Sequence, residues 1–199
     1  MKLKICGLMT LQDIQAVNAV SGVDYAGFVF TRHRQQISIN MARTLKNELN
    51  PNIKTIGVFV DEPQDYVQLA VDELSLDMVQ FHGRKEYALN IPTVKAMLMQ
   101  SKDDIKPTWC DFVLFDTFRD GTRGSTGGMF DWRLIEDYAA NPAEKPFFLA
   151  GGINITNIHD AMKFNPYCID VSSGVEINGI KCYNKIKELS LCIKRYCQK

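Results

Sequence analysis

Four short stretches of this chain carry residue types able to do chemistry. K-I-C-G, residues 4–7, sets a cysteine and a glycine directly after a short apolar run, and F-D-T, residues 115–117, sets a carboxylate in the same position after another. L-A-G-G-I-N, residues 149–154, and D-V-S-S-G, residues 170–174, place glycines and serines there instead. A carboxyl at the end of a buried strand is partly desolvated, which raises its pKa and suits a general acid, so Asp116 is a candidate acid. A thiol there can act as a base if cationic charge and helix N-termini lower its pKa, so Cys6 is a candidate base. Gly151 and Gly152 ahead of a helix, with Ser172, Ser173 and Gly174, offer bare N–H groups and hydroxyls to an anion such as phosphate. Each stretch has a plain structural alternative: Cys6 as an apolar filler, Asp116 as a cap, the glycines and serines as turn chemistry. They gain meaning only if the fold brings them to one place.

The elements that must do so alternate along the chain. Apolar runs of strand length occur at 2–6, 24–30, 54–60, 77–81, 93–99, 111–116, 146–150 and 168–172. Between them lie helical patterns. Thr10 and Asp13 form a capping box for a helix with Leu11, Ile14, Val17 and Val20 inward, stopped by Gly22. Ser38 caps a helix with Ile39, Ala42, Leu45 and Leu49 inward, ended by Asn50-Pro51. Further helices are predicted over Pro63–Leu74, Lys85–Leu89, an Asp131-capped segment carrying Leu134, Ile135 and Tyr138, Asn154–Lys163 and Lys181–Tyr196, with one turn or a loop between Gln100 and Pro107.

Continuous apolar strands are buried on both faces, which indicates a parallel sheet under helices. Eight such units predict an α/β fold, a single-domain (β/α)8 TIM barrel over residues 1–199, compact and with short loops, since the fold typically takes ~250 residues. The alternative is an open doubly wound sheet, but the first turn lacks G-x-G-x-x-G and no P-loop motif occurs. In a barrel all four stretches fall on the C-terminal rim of the strands, where active sites lie, and phosphate commonly sits between the loops after strands 7 and 8.

Composition narrows the function classes. Lys+Arg and Asp+Glu both total 23, so nothing suggests nucleic acid or an anionic membrane as partner. No apolar stretch approaches the ~20 residues that span a bilayer, and no apolar region follows the N-terminal lysines as in a signal peptide. The six cysteines, at 6, 110, 168, 182, 192 and 197, are scattered without a C-x-x-C pair, and read as reduced thiols rather than a disulfide framework or a metal site. The expected setting is cytoplasmic. Two inward charges need partners: Lys4, two residues before Cys6, is expected to pair with Asp170 on the neighbouring eighth strand as a buried ion pair. His82 has no identifiable nucleophile beside it, so it and Gln80 are expected to lend hydrogen-bonding support.

The motifs KICG, GFVF, GVFV, VQFHG, FDT, GSTGGMFDW, LAGGIN and DVSSGVE, in that order from Lys4 to about Lys181, resemble the phosphoribosylanthranilate isomerase family. The resemblance implies a cofactor-independent enzyme of tryptophan biosynthesis with a small phosphorylated substrate. Its reaction is an Amadori rearrangement of N-(5'-phosphoribosyl)anthranilate to 1-(2-carboxyphenylamino)-1-deoxyribulose 5-phosphate. It implies Cys6 as base, Asp116 as acid, and phosphate at Gly151, Gly152, Ser172, Ser173 and Gly174. The expected assembly is a monomer or weak homodimer. Three departures stand out. Gln35 falls where the family has an arginine for the anthranilate carboxylate, so Arg34, with Arg32 second, is expected to substitute. Cys182 replaces the acid that would cap the last helix, and the glycine loop reads GSTGG rather than G-G-[ST]-G. Two other classes stay open. A related aminoaldose isomerase or dual-specificity barrel typically uses paired aspartates at strands 1 and 5, against which Cys6 speaks. A barrel retained for binding is favoured by the altered arginine loop and opposed by the intact Cys6 and Asp116.

Overall fold

Eight parallel strands close on themselves in sequence order: β1 (Lys2–Cys6), β2 (Tyr25–Val29), β3 (Lys54–Phe59), β4 (Met78–Phe81), β5 (Thr93–Met99), β6 (Phe112–Thr117), β7 (Phe147–Leu149) and β8 (Cys168–Val171), with β8 pairing back onto β1. This computed structural model describes residues 1–117 and 129–198, so the glycine loop 124–128 singled out above lies outside the described residues. Nearly every strand residue is buried, because each strand meets the barrel interior on one face and helices on the other.

The helices follow their local signals. In α1 (Leu11–Asn18) Thr10 Oγ1 accepts from Asp13 N while the Asp13 carboxylate accepts from Thr10 N, so two orphan donors are satisfied reciprocally. The helix ends at Asn18, before the expected stop at Gly22. Ser38 caps α2 (Ile39–Asn47) through Met41 N, and α3 (Gln64–Leu74) buries Val67, Ala70, Val71 and Leu74. The closing α6 (Tyr183–Cys197) starts behind Cys182, which makes no side-chain capping bond.

The sector around β4–β6 departs from the predicted pattern. The helix expected over 85–89 is absent. The segment is tied elsewhere: Arg84 N and Lys85 N donate to Asp61 Oδ1, and the Tyr87 side-chain hydroxyl donates to Glu62 O. Five residues are too few to nucleate a helix against such competition. One 3₁₀ turn, Lys102–Asp104, follows β5 where one turn or a loop was expected, and among the described residues a 3₁₀ turn (Trp132–Ile135) and α4 (Glu136–Ala140) stand between β6 and β7. The helix expected over 154–163 is reduced to α5 (Ile158–Met162). Asn154 Oδ1 accepts from Thr156 N and Oγ1, and Asn157 Oδ1 accepts from Asn154 N, which ties the chain into turns first.

At the N-terminal end of the strands the interior is plugged by Tyr25, Ile56, Met78, Val94, Leu114 and Phe148. Three aspartates standing just before even-numbered strands reach back to the preceding strand. Asp24 accepts from Leu3 N, Asp77 from Thr55 N and Oγ1, and Asp111 from Thr93 N and Oγ1. No helix among the described residues is long and apolar enough to cross a membrane.

Candidate active site

The C-terminal mouth of the barrel opens into a cavity lined from several strands at once. Cys6 comes from β1, Gln80 from β4 and His82 just after it, Asp116 from β6, and Asp170 from β8. Gly151 and Gly152 follow β7, and Ser172, Ser173 and Gly174 follow β8. Thr31 and His33 from the loop after β2, Gln35 at the position expected to meet the carboxylate, and Thr117 beside Asp116 line it as well.

Cys6 faces Gly27 on β2, and a methyl group at Gly27 would stand 2.8 Å from its Sγ. Below it lies Lys4, fully buried, whose ammonium donates to Gln80 Oε1 at 2.6 Å and to Asp170 Oδ2 at 2.7 Å. Burial opposes the charge on Lys4, but Asp170 and Cys6 beside it outweigh that and hold it above the ordinary lysine value. Gln80, having given its oxygen to Lys4, turns its amide N–H to His82 Nε2, which places the imidazole proton on Nδ1. The thiol itself differs from expectation. Lys4 and Lys181 pull its pKa down, yet burial outweighs both and leaves it above the ordinary thiol value.

Asp116 sits at the end of β6 with its carboxyl in the cavity, where, among the described residues, its own neighbour's backbone, Thr117 N at 2.7 Å, donates to it. Burial, with the Asp170 charge adding to it, pushes Asp116 up to about 6. A carboxyl that holds its proton close to neutrality can give it up to a substrate oxygen.

The loops after β7 and β8 meet at backbone level. Gly151 and Gly152 both adopt left-handed backbone, φ +83 and +70, a conformation open to glycine at no steric cost. A methyl at Gly151 would press on Thr117 Oγ1 at 2.5 Å, and one at Gly174 would overlap the Ile153 carbonyl. Together they line one side of the cavity with half-buried glycine backbone and two serines. The helix behind it starts only at Ile158, so the anion-binding reading rests on the loop backbone, without the helix N-terminus expected at 154.

Arg34 and Arg32 do not line the cavity. Arg34 is turned to Glu176, with Nη2 3.0 Å from its carboxylate. Buried Gln35 takes the wall instead, donating to Ser172 Oγ at 3.1 Å and Glu176 Oε1 at 2.8 Å. Gln35 also accounts for Gly7, at φ +77, because any side chain there would overlap its amide. A residue not foreseen, Lys181, is buried behind the same loop, 2.7 Å from Glu176 Oε1 and 3.2 Å from Ser172 O. A signal for it was present. Asn178-Gly179, both with positive φ, turn a two-residue hairpin between β9 (Glu176–Ile177) and β10 (Ile180–Lys181), which sets Lys181 opposite Glu176. No cluster of metal-ligating side chains occurs among the described residues.

A family model described as N-(5'phosphoribosyl)anthranilate (PRA) isomerase matches residues 3–190. An N-(5'-phosphoribosyl)anthranilate isomerase from Endomicrobium trichonymphae is 40% identical over 196 residues, covering 94% of this chain and 95% of that protein. The crystal structure of phosphoribosyl anthranilate isomerase from Thermus thermophilus superposes with a TM-score of 0.86 at 27% identity, covering 98% of this chain and all of the other. A phosphoribosyl anthranilate isomerase solved with reduced 1-(o-carboxyphenylamino)-1-deoxyribulose 5-phosphate superposes with a TM-score of 0.81 at 30% identity, covering 98% and 99% of the two chains.

Proposed function

The chain belongs to the N-(5'-phosphoribosyl)anthranilate isomerase family, and from that premise we propose that Cys6 and Asp116 carry its proton transfers. The reaction is the rearrangement of N-(5'-phosphoribosyl)anthranilate to 1-(2-carboxyphenylamino)-1-deoxyribulose 5-phosphate. The observation that carries the assignment is one cavity presenting a carboxyl pushed up to about 6 and a half-buried thiol beside two lysines.

Asp116 gives its proton to the ribose ring oxygen as the C1–O bond breaks and the anilino nitrogen lone pair forms the iminium. Cys6, as thiolate, then takes the proton from C2, and the C2–H electron pair becomes the C1=C2 bond of the enolamine while the nitrogen is neutralised. The enolamine ketonises by losing the C2 hydroxyl proton and gaining one at C1. A C2–H next to an iminium is acidic, so a modest base suffices. Every step moves a proton, and none asks for a cofactor. The 5'-phosphate is assigned to the cradle of Gly151, Gly152, Ser172, Ser173 and Gly174. The aromatic carboxylate falls to the loop after β2, where Arg34 would trade its pair with Glu176 for the substrate.

The test is loss of anthranilate-derivative fluorescence on mixing purified protein with N-(5'-phosphoribosyl)anthranilate, with inorganic phosphate as competitive inhibitor. Turnover abolished in Cys6→Ser and in Asp116→Asn is the expected result. Turnover of the wild type with both variants at full activity would overturn the assignment of these residues.

A further inference from the structure

Asp170 carries a feature that its ion pair leaves unexplained. Its Oδ2 is held by Lys4, but its Oδ1 is buried and has no hydrogen-bond partner among the described residues, although the carboxylate lines the cavity. A buried carboxylate oxygen has two lone pairs to satisfy, and leaving one orphaned is costly. Such an acceptor facing an active-site cavity is matched by a donor that arrives with the ligand.

Its position narrows which donor. Cys6 and Asp170 share the Lys4 ammonium, which gives one N–H to Asp170 Oδ2, one to Gln80 Oε1, and interacts with the Cys6 thiol. Two groups gathered on one ammonium address neighbouring points of a substrate. The substrate carbon that must meet Cys6 is C2, whose hydrogen the thiolate removes, and the other polar substituent on that carbon is a hydroxyl. We propose that Asp170 Oδ1 accepts a hydrogen bond from the C2 hydroxyl of the sugar, orienting the C2–H toward Cys6. Asp170 is then a substrate-contacting residue as well as a partner for Lys4, and the site selects sugars bearing a hydroxyl at this carbon. The negative charge of Asp170 also acts on Asp116 and Cys6, consistent with a place between them. The inference rests on the isomerase reading above.

The test compares equilibrium binding of the reduced product, 1-(2-carboxyphenylamino)-1-deoxyribitol 5-phosphate, with its 2-deoxy counterpart. The wild type should prefer the hydroxylated ligand by about tenfold or more, the size of a hydrogen bond to a charged acceptor. Lys4→Met/Asp170→Val, which removes both charges together and leaves neither unpaired, should bind the two ligands within about twofold of each other. Equal binding by the wild type, or an unchanged preference in the double variant, would overturn the proposal. If neither ligand binds the wild type, the substrate reading itself fails and this inference with it. Should the double variant not fold, a crystal structure of the wild type with the reduced product decides. The C2 oxygen within hydrogen-bond distance of Asp170 Oδ1 supports the contact, and a water in its place sinks it.

Discussion

The two ends of this barrel use the same residue types to opposite purposes. At the N-terminal end, Asp24, Asp77 and Asp111 each accept hydrogen bonds from the strand before, and a plug of Tyr25, Ile56, Val94, Leu114 and Phe148 fills the space between. At the C-terminal mouth, Asp116 is buried with one backbone donor, Asp170 keeps an orphaned oxygen, and two glycines in succession hold left-handed backbone. One end is satisfied and therefore stabilising. The other leaves buried carboxylate oxygens short of partners, which costs stability and, on the proposed assignment, supplies the reactivity.

The sharpest way to test that contrast is Cys6→Ser. Serine fits the same space, but its alkoxide is out of reach near neutral pH, so kcat should fall by at least ~10²-fold. The denaturation midpoint should hardly move. Near-wild-type turnover would make Cys6 a filler and erase the contrast at its centre.

Asp116→Asn should separate activity from stability. Without a transferable proton, turnover should again drop by roughly 10². Stability should move the other way, with a pH dependence whose sign follows from burial. The folded protein holds the Asp116 proton up to about 6, above the ordinary carboxylate value of the unfolded chain. Stability from this group is therefore full below the unfolded pKa and is lost as pH rises through the folded one, by about 3 kcal/mol. Asparagine has no proton to lose. The variant should exceed the wild type by about that much at pH 8 and match it at pH 4, read from urea midpoints at unchanged m. A variant less stable at pH 8 would show that Asp116 is a structural cap. In the wild type, kcat/KM against pH should be bell-shaped, with one limb near 6 for Asp116 and the other above the ordinary thiol range for Cys6.

The smallest expected effect lies at the other end. Asp111→Ala strips the acceptor from Thr93 N and Oγ1, and Thr93 is buried. The loss should be about 1–2 kcal/mol of stability, with kcat/KM unchanged. A fall in kcat/KM without loss of stability would mean that the two ends are not independent.

Much of this was legible in the chain because it is local. Apolar runs at strand length alternate with capped helical patterns, and in a parallel barrel that alternation leaves little choice of topology. The rim residues Cys6, Asp116, Gly151 and Ser172 could be read for the same reason, since each simply ends a strand. The side-chain period of a strand put Lys4 beneath Cys6, and the closure of β8 onto β1 supplied Asp170. What only the tertiary structure decided concerns groups whose partners lie far away in sequence. Gln35 and Arg34 both turn to Glu176, more than a hundred residues on, and Lys181 joins them behind the loop after β8. The helix expected over 85–89 gives way to bonds with Asp61 and Glu62. The direction of the Cys6 shift depends on how deeply closure buries the thiol against two lysines, a balance of desolvation and charge that no local pattern encodes.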